Sequence, residues 1–242
     1  MCGAFLTHTL RRIKIAKVLL TLGDSWPLGA ELPGAPKQPY GHYLKENMQF
    51  DILRNYGMGG ASNEDTIMQL YDYIHKHWAS NDTVTAIIHL TNPVRNNDFP
   101  KAYDISSGNF DVHDDSRNHW PSDVKQFIQE LMLHYFEDKH TIFRSSTTLI
   151  ALQTLCNTHN IADYYFSGWV KYNTWLPGVD LTKIWKAGKE TAADWFGASG
   201  HNGEHLTDVE SNKYIKPNFA HPNALGHQLI ADKMEQFILD NQ

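Results

Sequence analysis

Cysteine is nearly absent: Cys2 and Cys156 are the only two among 242 residues. Two thiols are too few for a disulfide-stapled scaffold or a thiolate zinc site. Positive charge is also short, with 21 Lys and Arg against 27 Asp and Glu and a net charge of -6. A protein that grips a nucleic-acid backbone needs a basic face, so no nucleic-acid partner is expected. Long apolar runs are missing as well. No stretch approaches the roughly 20 residues of a transmembrane helix, and no membrane insertion is expected. Acidic residues are absent before Asp24, whereas Arg11, Arg12, Lys14 and Lys17 precede it. A basic, acid-free start has the composition of a transit segment. However, Lys17 interrupts the stretch from Ile15 to Leu22, and no convincing signal peptide is formed. Residues 1–16 therefore read as a flexible arm and 17–242 as a single domain, soluble in character.

What is abundant is aromatic. Phe, Trp and Tyr make up 12% of the chain, with 7 Trp, enough to bury a large core and to exclude disorder. The 14 His residues raise either a metal site or a histidine-based catalyst. The metal groupings are loose. His75 and His77 are two apart and would face different directions on a helix. His201, Glu204 and His205 do not follow the His-Glu-x-x-His order of a zinc protease. His113, Asp114, Asp115 and His119 read as a solvated loop. No metal is expected.

Periodicity divides the chain into alternating elements. Lys17 to Leu22 is a short apolar run ending at Gly23, as a buried parallel strand requires. Tyr40 to Met48 predicts a short helix, and Phe50 to Tyr56 a second strand. Ser62 or Asn63 caps a helix with Ile67, Leu70, Tyr71, Ile74 and Trp78 on one face. Thr83 to Leu90 is a third buried strand. Thr91 to Trp120 loses all periodicity and reads as an inserted loop. Pro121 opens a helix carrying Val124, Phe127, Ile128, Leu131 and Tyr135, and Ile142 to Cys156 is a further helix-like stretch. Ile161 to Phe166 predicts a fourth strand. Gly168 to Pro217 is a second irregular insertion, bearing Trp169, Trp175, Trp185 and Trp195. Asn223 caps a last helix through Leu225, Leu229, Ile230, Met234, Phe237 and Ile238. This alternation implies a doubly wound parallel α/β sheet, which binds ligands beyond the carboxyl ends of its strands.

Those ends carry the chemistry. The first strand runs into Gly23-Asp24-Ser25, a turn that can present a serine hydroxyl, with Asp24 supporting the turn. The second runs into Asn55-Tyr56-Gly57-Met58-Gly59-Gly60-Ala61-Ser62. The third runs into Leu90-Thr91-Asn92-Pro93. Near the C-terminus lies Asn218-Phe219-Ala220-His221-Pro222-Asn223, where His221 precedes a helix that can anchor it. Acyl transfer needs a nucleophile, a base and donors aimed at an oxyanion. Ser25, His221, and the amides of Ser25, Gly60 and Asn92 could supply them.

With these blocks the chain resembles the SGNH, or GDSL-type, hydrolases. Their first block matches Gly23-Asp24-Ser25, and their second matches Asn55, Gly57, Gly60 and Ser62. Their last block matches His221, Pro222, Asn223 and Gly226. The resemblance spans roughly Lys17 to Asp240. It implies a flavodoxin-like, three-layer α/β/α sheet of four to five strands, the fifth sought within Thr141 to Ile150. It further implies Ser25 as nucleophile, His221 as base, and an oxyanion hole of Ser25, Gly60 and Asn92. No cofactor is implied.

Two positions depart from the family pattern. Leu90 and Pro93 stand where Gly and Asp usually flank the asparagine. Asn218 stands where an acid usually orients the histidine; its oxygen accepts a hydrogen bond but supplies no charge. In a serine protease that change costs on the order of 10⁴ in turnover. The chain is then a Ser-His pair assisted by Asn218, borrows Asp208 or Glu210, or is weakly active. The expected function is hydrolysis of a carboxylic ester, such as an O-acetyl group on a carbohydrate. The rival readings are a binding protein on a decayed hydrolase fold and a metal-dependent hydrolase using the surplus histidines.

Overall fold

The central strand, β1 (Lys17–Leu22), buries every residue after its first, because it is covered on both faces and paired on both edges. The computed structural model describes residues 15–30, 32–33, 37–91, 138–172, 174–197, 213–215 and 221–242. Within these, β1 is followed by a one-turn helix α1 (Ser25–Leu28), then α2 (Tyr40–Asn47), β2 (Ile52–Asn55), α3 (Asn63–His77) and β3 (Thr83–Leu90). The long helix α4 (Asp138–Thr158), β4 (Ile161–Ser167), the short α5 (Ala192–Trp195) and the closing α6 (Ala224–Asp240) complete the order. The four strands are parallel in the order β2-β1-β3-β4. That order reverses between β1 and β3, and a crevice opens beyond the carboxyl ends of those two strands.

Alternation along the strands sorts the core into two layers. Val18, Leu20, Leu22, Val84, Ala86 and Ile88 pack against Leu70 and Tyr73 of α3 and Leu149, Leu152 and Cys156 of α4. Leu19, Ile87, Tyr164 and Phe166 face the other way, against Tyr40 and Leu44 of α2 and Ile230, Met234, Phe237 and Ile238 of α6. The result is the expected three-layer α/β/α arrangement. Each fully buried Leu or Ile contributes about 1.5–3 kcal/mol of apolar burial.

Helix ends follow their local chemistry. Ser62 is the N-cap of α3: its Oγ accepts from the Asp65 amide, while the Asp65 carboxylate accepts from the Ser62 amide at 2.7 Å. Asn63 is therefore free for another task, described below. Asn223 caps α6 by accepting from the Gly226 amide at 3.1 Å.

Several expectations are corrected. Thr141 to Ile150 holds no strand; it lies inside α4, whose 21 residues extend the helix-like stretch at both ends. The fifth strand sought there is absent among the described residues, and the Ser- and Thr-rich segment is helical. Tyr71 is 53% exposed, and the buried aromatic of α3 is Tyr73. Leu225 is likewise exposed, and His227 takes its place among the buried residues of α6. The second insertion is not wholly irregular. It contains α5 and two 3₁₀ turns, Leu181–Lys183 and Trp185–Gly188. Asp180 and Thr191 cap the first turn and α5, and segments this short leave no periodicity to read. The helix opened by Pro121, and nearly all of the first insertion, lie outside the described residues.

Candidate active site

The turn after β1 is held from several sides. The Gly23 amide donates to Gln69 Oε1 at 2.8 Å, and Gln69 Nε2 donates to the Gly23 carbonyl at 2.9 Å. Asp24 is the N-cap of α1, its Oδ1 accepting from the Trp26 amide at 3.0 Å. Ser25 thus opens α1 in the crevice beyond β1.

The loop after β2 is stitched to the same turn. Asn55 Nδ2 donates to the Pro27 carbonyl at 2.6 Å, and Asn55 Oδ1 accepts from the Gly57 amide at 2.9 Å. The Met58 amide donates to the Gly23 carbonyl at 3.0 Å. Gly57 lies so close to α1 that an added Cβ would sit 2.4 Å from the Leu28 amide nitrogen. Only glycine permits that approach. The same loop carries Gly60, with φ 78°.

His221 arrives from the other end of the chain. The next residue, Pro222, forms an antiparallel bridge with Ile215. The Asn223 amide donates to the Tyr214 carbonyl at 2.9 Å, and Asn223 Nδ2 donates to the Lys213 carbonyl at 2.8 Å. So anchored, His221 Nε2 lies 2.7 Å from Ser25 Oγ, a hydrogen bond across 196 positions of sequence. That distance is within the range for a nucleophile and its base.

Behind this pair sits His227, buried in α6, whose Nδ1 accepts from the Tyr40 amide at 3.2 Å. Burial, then the charges of His221 and His89, pull its pKa down to about 3. His227 is therefore a neutral acceptor that joins α6 to α2. Periodicity placed it on the helix, but not its role.

The chain entering the third block is also clamped. Asn63 Oδ1 accepts from the Thr91 amide at 2.9 Å, Asn63 Nδ2 donates to the Thr91 carbonyl at 3.2 Å, and Tyr172 also donates to that carbonyl. Asn92 itself, Asn218, Asp208 and Glu210 lie outside the described residues. So do His113, Asp114, Asp115, His119, His201, Glu204 and His205. Among the described residues, no three His, Cys, Asp or Glu side chains are grouped to hold a metal ion, and no helix is long and apolar enough to cross a membrane.

Sequence reasoning missed His89, Gln69 and Asn63. The signal for His89 was present: it is a polar residue near the carboxyl end of an otherwise apolar strand, which calls for a partner.

No protein-family model matches the chain, and no curated protein matches it. Solved structures do. One is a member of the lipolytic G-D-S-L family from Veillonella parvula, with 12% identity and a TM-score of 0.44, covering 91% of this chain and 97% of that one. Another is the psychrotrophic esterase EstA from Pseudoalteromonas, with 16% identity and a TM-score of 0.43, covering 93% and 97%. A third is a mutant of Axe2, an acetyl-xylooligosaccharide esterase from Geobacillus, with 14% identity and a TM-score of 0.42, covering 93% and 95%.

Proposed function

We propose that the chain is a serine esterase of the SGNH type, with Ser25 as nucleophile and His221 as general base. The observation that carries this reading is the 2.7 Å bond between Ser25 Oγ and His221 Nε2. Three separated parts of the sequence support it by converging on one crevice: the turn after β1, the loop after β2, and the segment before α6.

The steps follow from that geometry. Ser25 Oγ attacks the ester carbonyl while its proton passes to His221 Nε2. The tetrahedral oxyanion is held by the Ser25 and Gly60 amides and by Asn92. His221 returns the proton to the departing alcohol. It then activates a water that hydrolyses the acyl-enzyme by the same path, releasing the acid and freeing Ser25. By the resemblance Asn218 takes the place of the carboxylate that would orient His221, and turnover is correspondingly modest. For the substrate, an O-acyl carbohydrate fits best. Trp169, half-buried, packs edge-on against Trp26 next to Ser25, and aromatic faces stack on sugar rings.

Hydrolysis of p-nitrophenyl acetate by wild type, Ser25→Ala and His221→Ala tests the proposal. Both variants should fall to the rate of buffer alone while melting like wild type. Equal rates from wild type and Ser25→Ala would refute it.

A further inference from the structure

The oxygen of Asp24 that caps α1 has a second partner. His89 Nδ1 lies 2.9 Å from the same Oδ1 that accepts from the Trp26 amide. Both side chains are buried, at 3% and 5% exposure. His89 is the penultimate residue of β3, in register with Phe166 of β4. Its ring is stacked on Trp26, with centroids 4.8 Å apart and planes 10° from parallel, and Phe166 lies at 5.0 Å. Its other nitrogen, Nε2, is buried and meets no hydrogen-bond partner among the described residues. There it faces Gly168, where an added Cβ would be only 2.6 Å away.

These contacts define the ring's state. A proton on Nε2 would point at the Cα hydrogen of Gly168, whereas a lone pair there meets it favourably. The proton therefore sits on Nδ1 and is donated to Asp24. Asp24 in turn needs that donor, because a buried carboxylate stripped of a partner is costly. The ionisable groups facing His89 are Asp24, from the turn after β1, and His227, from α6.

We propose that His89 is a positioning residue: through its Nδ1–H bond it locks Asp24, and with it the turn that presents Ser25, to the carboxyl end of β3. The lock joins the two strands between which the crevice opens, so the nucleophile and the strand leading into Asn92 share one rigid frame. The inference rests on the serine-esterase reading, but it makes a claim about the turn that is measurable without turnover.

The test combines a covalent probe with spectroscopy. A fluorophosphonate is applied to wild type, Ser25→Ala, His89→Leu and His89→Asn, and labelling is followed by intact mass. Label on wild type but not on Ser25→Ala supports the esterase reading; no label on wild type counts against that reading alone. Against wild type, His89→Leu should label, and turn over ester, about 10- to 100-fold more slowly with KM unchanged, the cost of a nucleophile displaced by ~1 Å. His89→Asn places an amide donor near the position of Nδ1 and should recover most of that rate. Equal labelling of wild type and His89→Leu would overturn the proposal, as would a loss in His89→Asn as large as in His89→Leu. Long-range nitrogen correlations of the wild-type imidazole need no variant and no activity. They should show the neutral His89 ring protonated at Nδ1 and bare at Nε2; a neutral ring protonated at Nε2 would overturn the proposal.

Discussion

Gly57→Ala is the smallest change that tests whether the loop after β2 sets the position of Ser25. The new Cβ would lie 2.4 Å from the Leu28 amide nitrogen, 2.8 Å from the Pro27 carbonyl carbon and 3.0 Å from Leu28 Cα. All three are backbone atoms of α1, so no side chain can swing aside. Restoring even a tight separation of 3.0 Å from the Leu28 nitrogen requires about 0.6 Å of backbone movement. Either α1 moves, carrying Ser25, or the loop moves, carrying Gly60. Overpacking of this kind costs roughly 1–3 kcal/mol, or about 3–10 °C in melting temperature for a chain of this size. A shift approaching 1 Å at the nucleophile lowers kcat by about 10- to 100-fold. Gly59→Ala is the control, two residues along the same loop, because its Cβ would meet only Leu28 Cδ2, at 3.9 Å. It should stay within about 0.5 kcal/mol of wild type. Thermal melts and p-nitrophenyl acetate kinetics of both variants decide the matter. If both behave alike, or if Gly57→Ala keeps full kcat, the tight packing of loop against nucleophile turn has no functional weight.

Two other variants probe the rest of the frame. The unfolded chain protonates His227 near 6.5, whereas the native state resists until about 3. The folded pKa is depressed, so stability held above 6.5 is lost as pH falls through that window, at about 1.4 kcal/mol per unit. His227→Asn keeps an acceptor for the Tyr40 amide without titrating. Its urea midpoint should fall less between pH 7 and pH 4.5 than that of wild type, and identical slopes would contradict the assignment. Asp163 lies in the amino-terminal half of β4, where Lys183 Nζ, from the first 3₁₀ turn, lies 2.6 Å from its buried Oδ1 and Tyr165 donates to Oδ2 at 2.8 Å. Burial pushes the Asp163 carboxyl up, opposed by Lys183 and Tyr165. Lys183→Met should therefore cost about 3 kcal/mol, lowering the melting temperature while kcat below the melt is retained; a lost kcat at unchanged stability would contradict this.

The legible parts of this protein were those encoded by neighbouring residues. Lys17 to Leu22 and Thr83 to Leu90 announced themselves as strands because burial on both faces demands continuous apolar residues. Asn223 announced a helix because its cap bond is made within three residues. Tyr71 and Tyr73 were harder. Both are aromatic on one helix, and which is buried depends on where the sheet lies, not on α3 itself. Thr141 to Ile150 was ambiguous for a similar reason: β-branched residues suit a strand, yet here the surrounding turns carry them into a helix.

The sequence alone therefore determined the parallel α/β alternation, the helix caps, and the turn that offers Ser25 at a strand end. All of these are governed by contacts within a few residues, which leave a pattern in the chain. Tertiary structure alone decided that His221 meets Ser25 across 196 positions, that Asn63 clamps Thr91, and that His89 holds Asp24 from the next strand. Those bonds join residues whose separation is set by sheet order and register: the motif blocks could name Ser25 and His221, and a polar residue in an apolar strand could mark His89, but the partner and the distance of each bond come only from the fold.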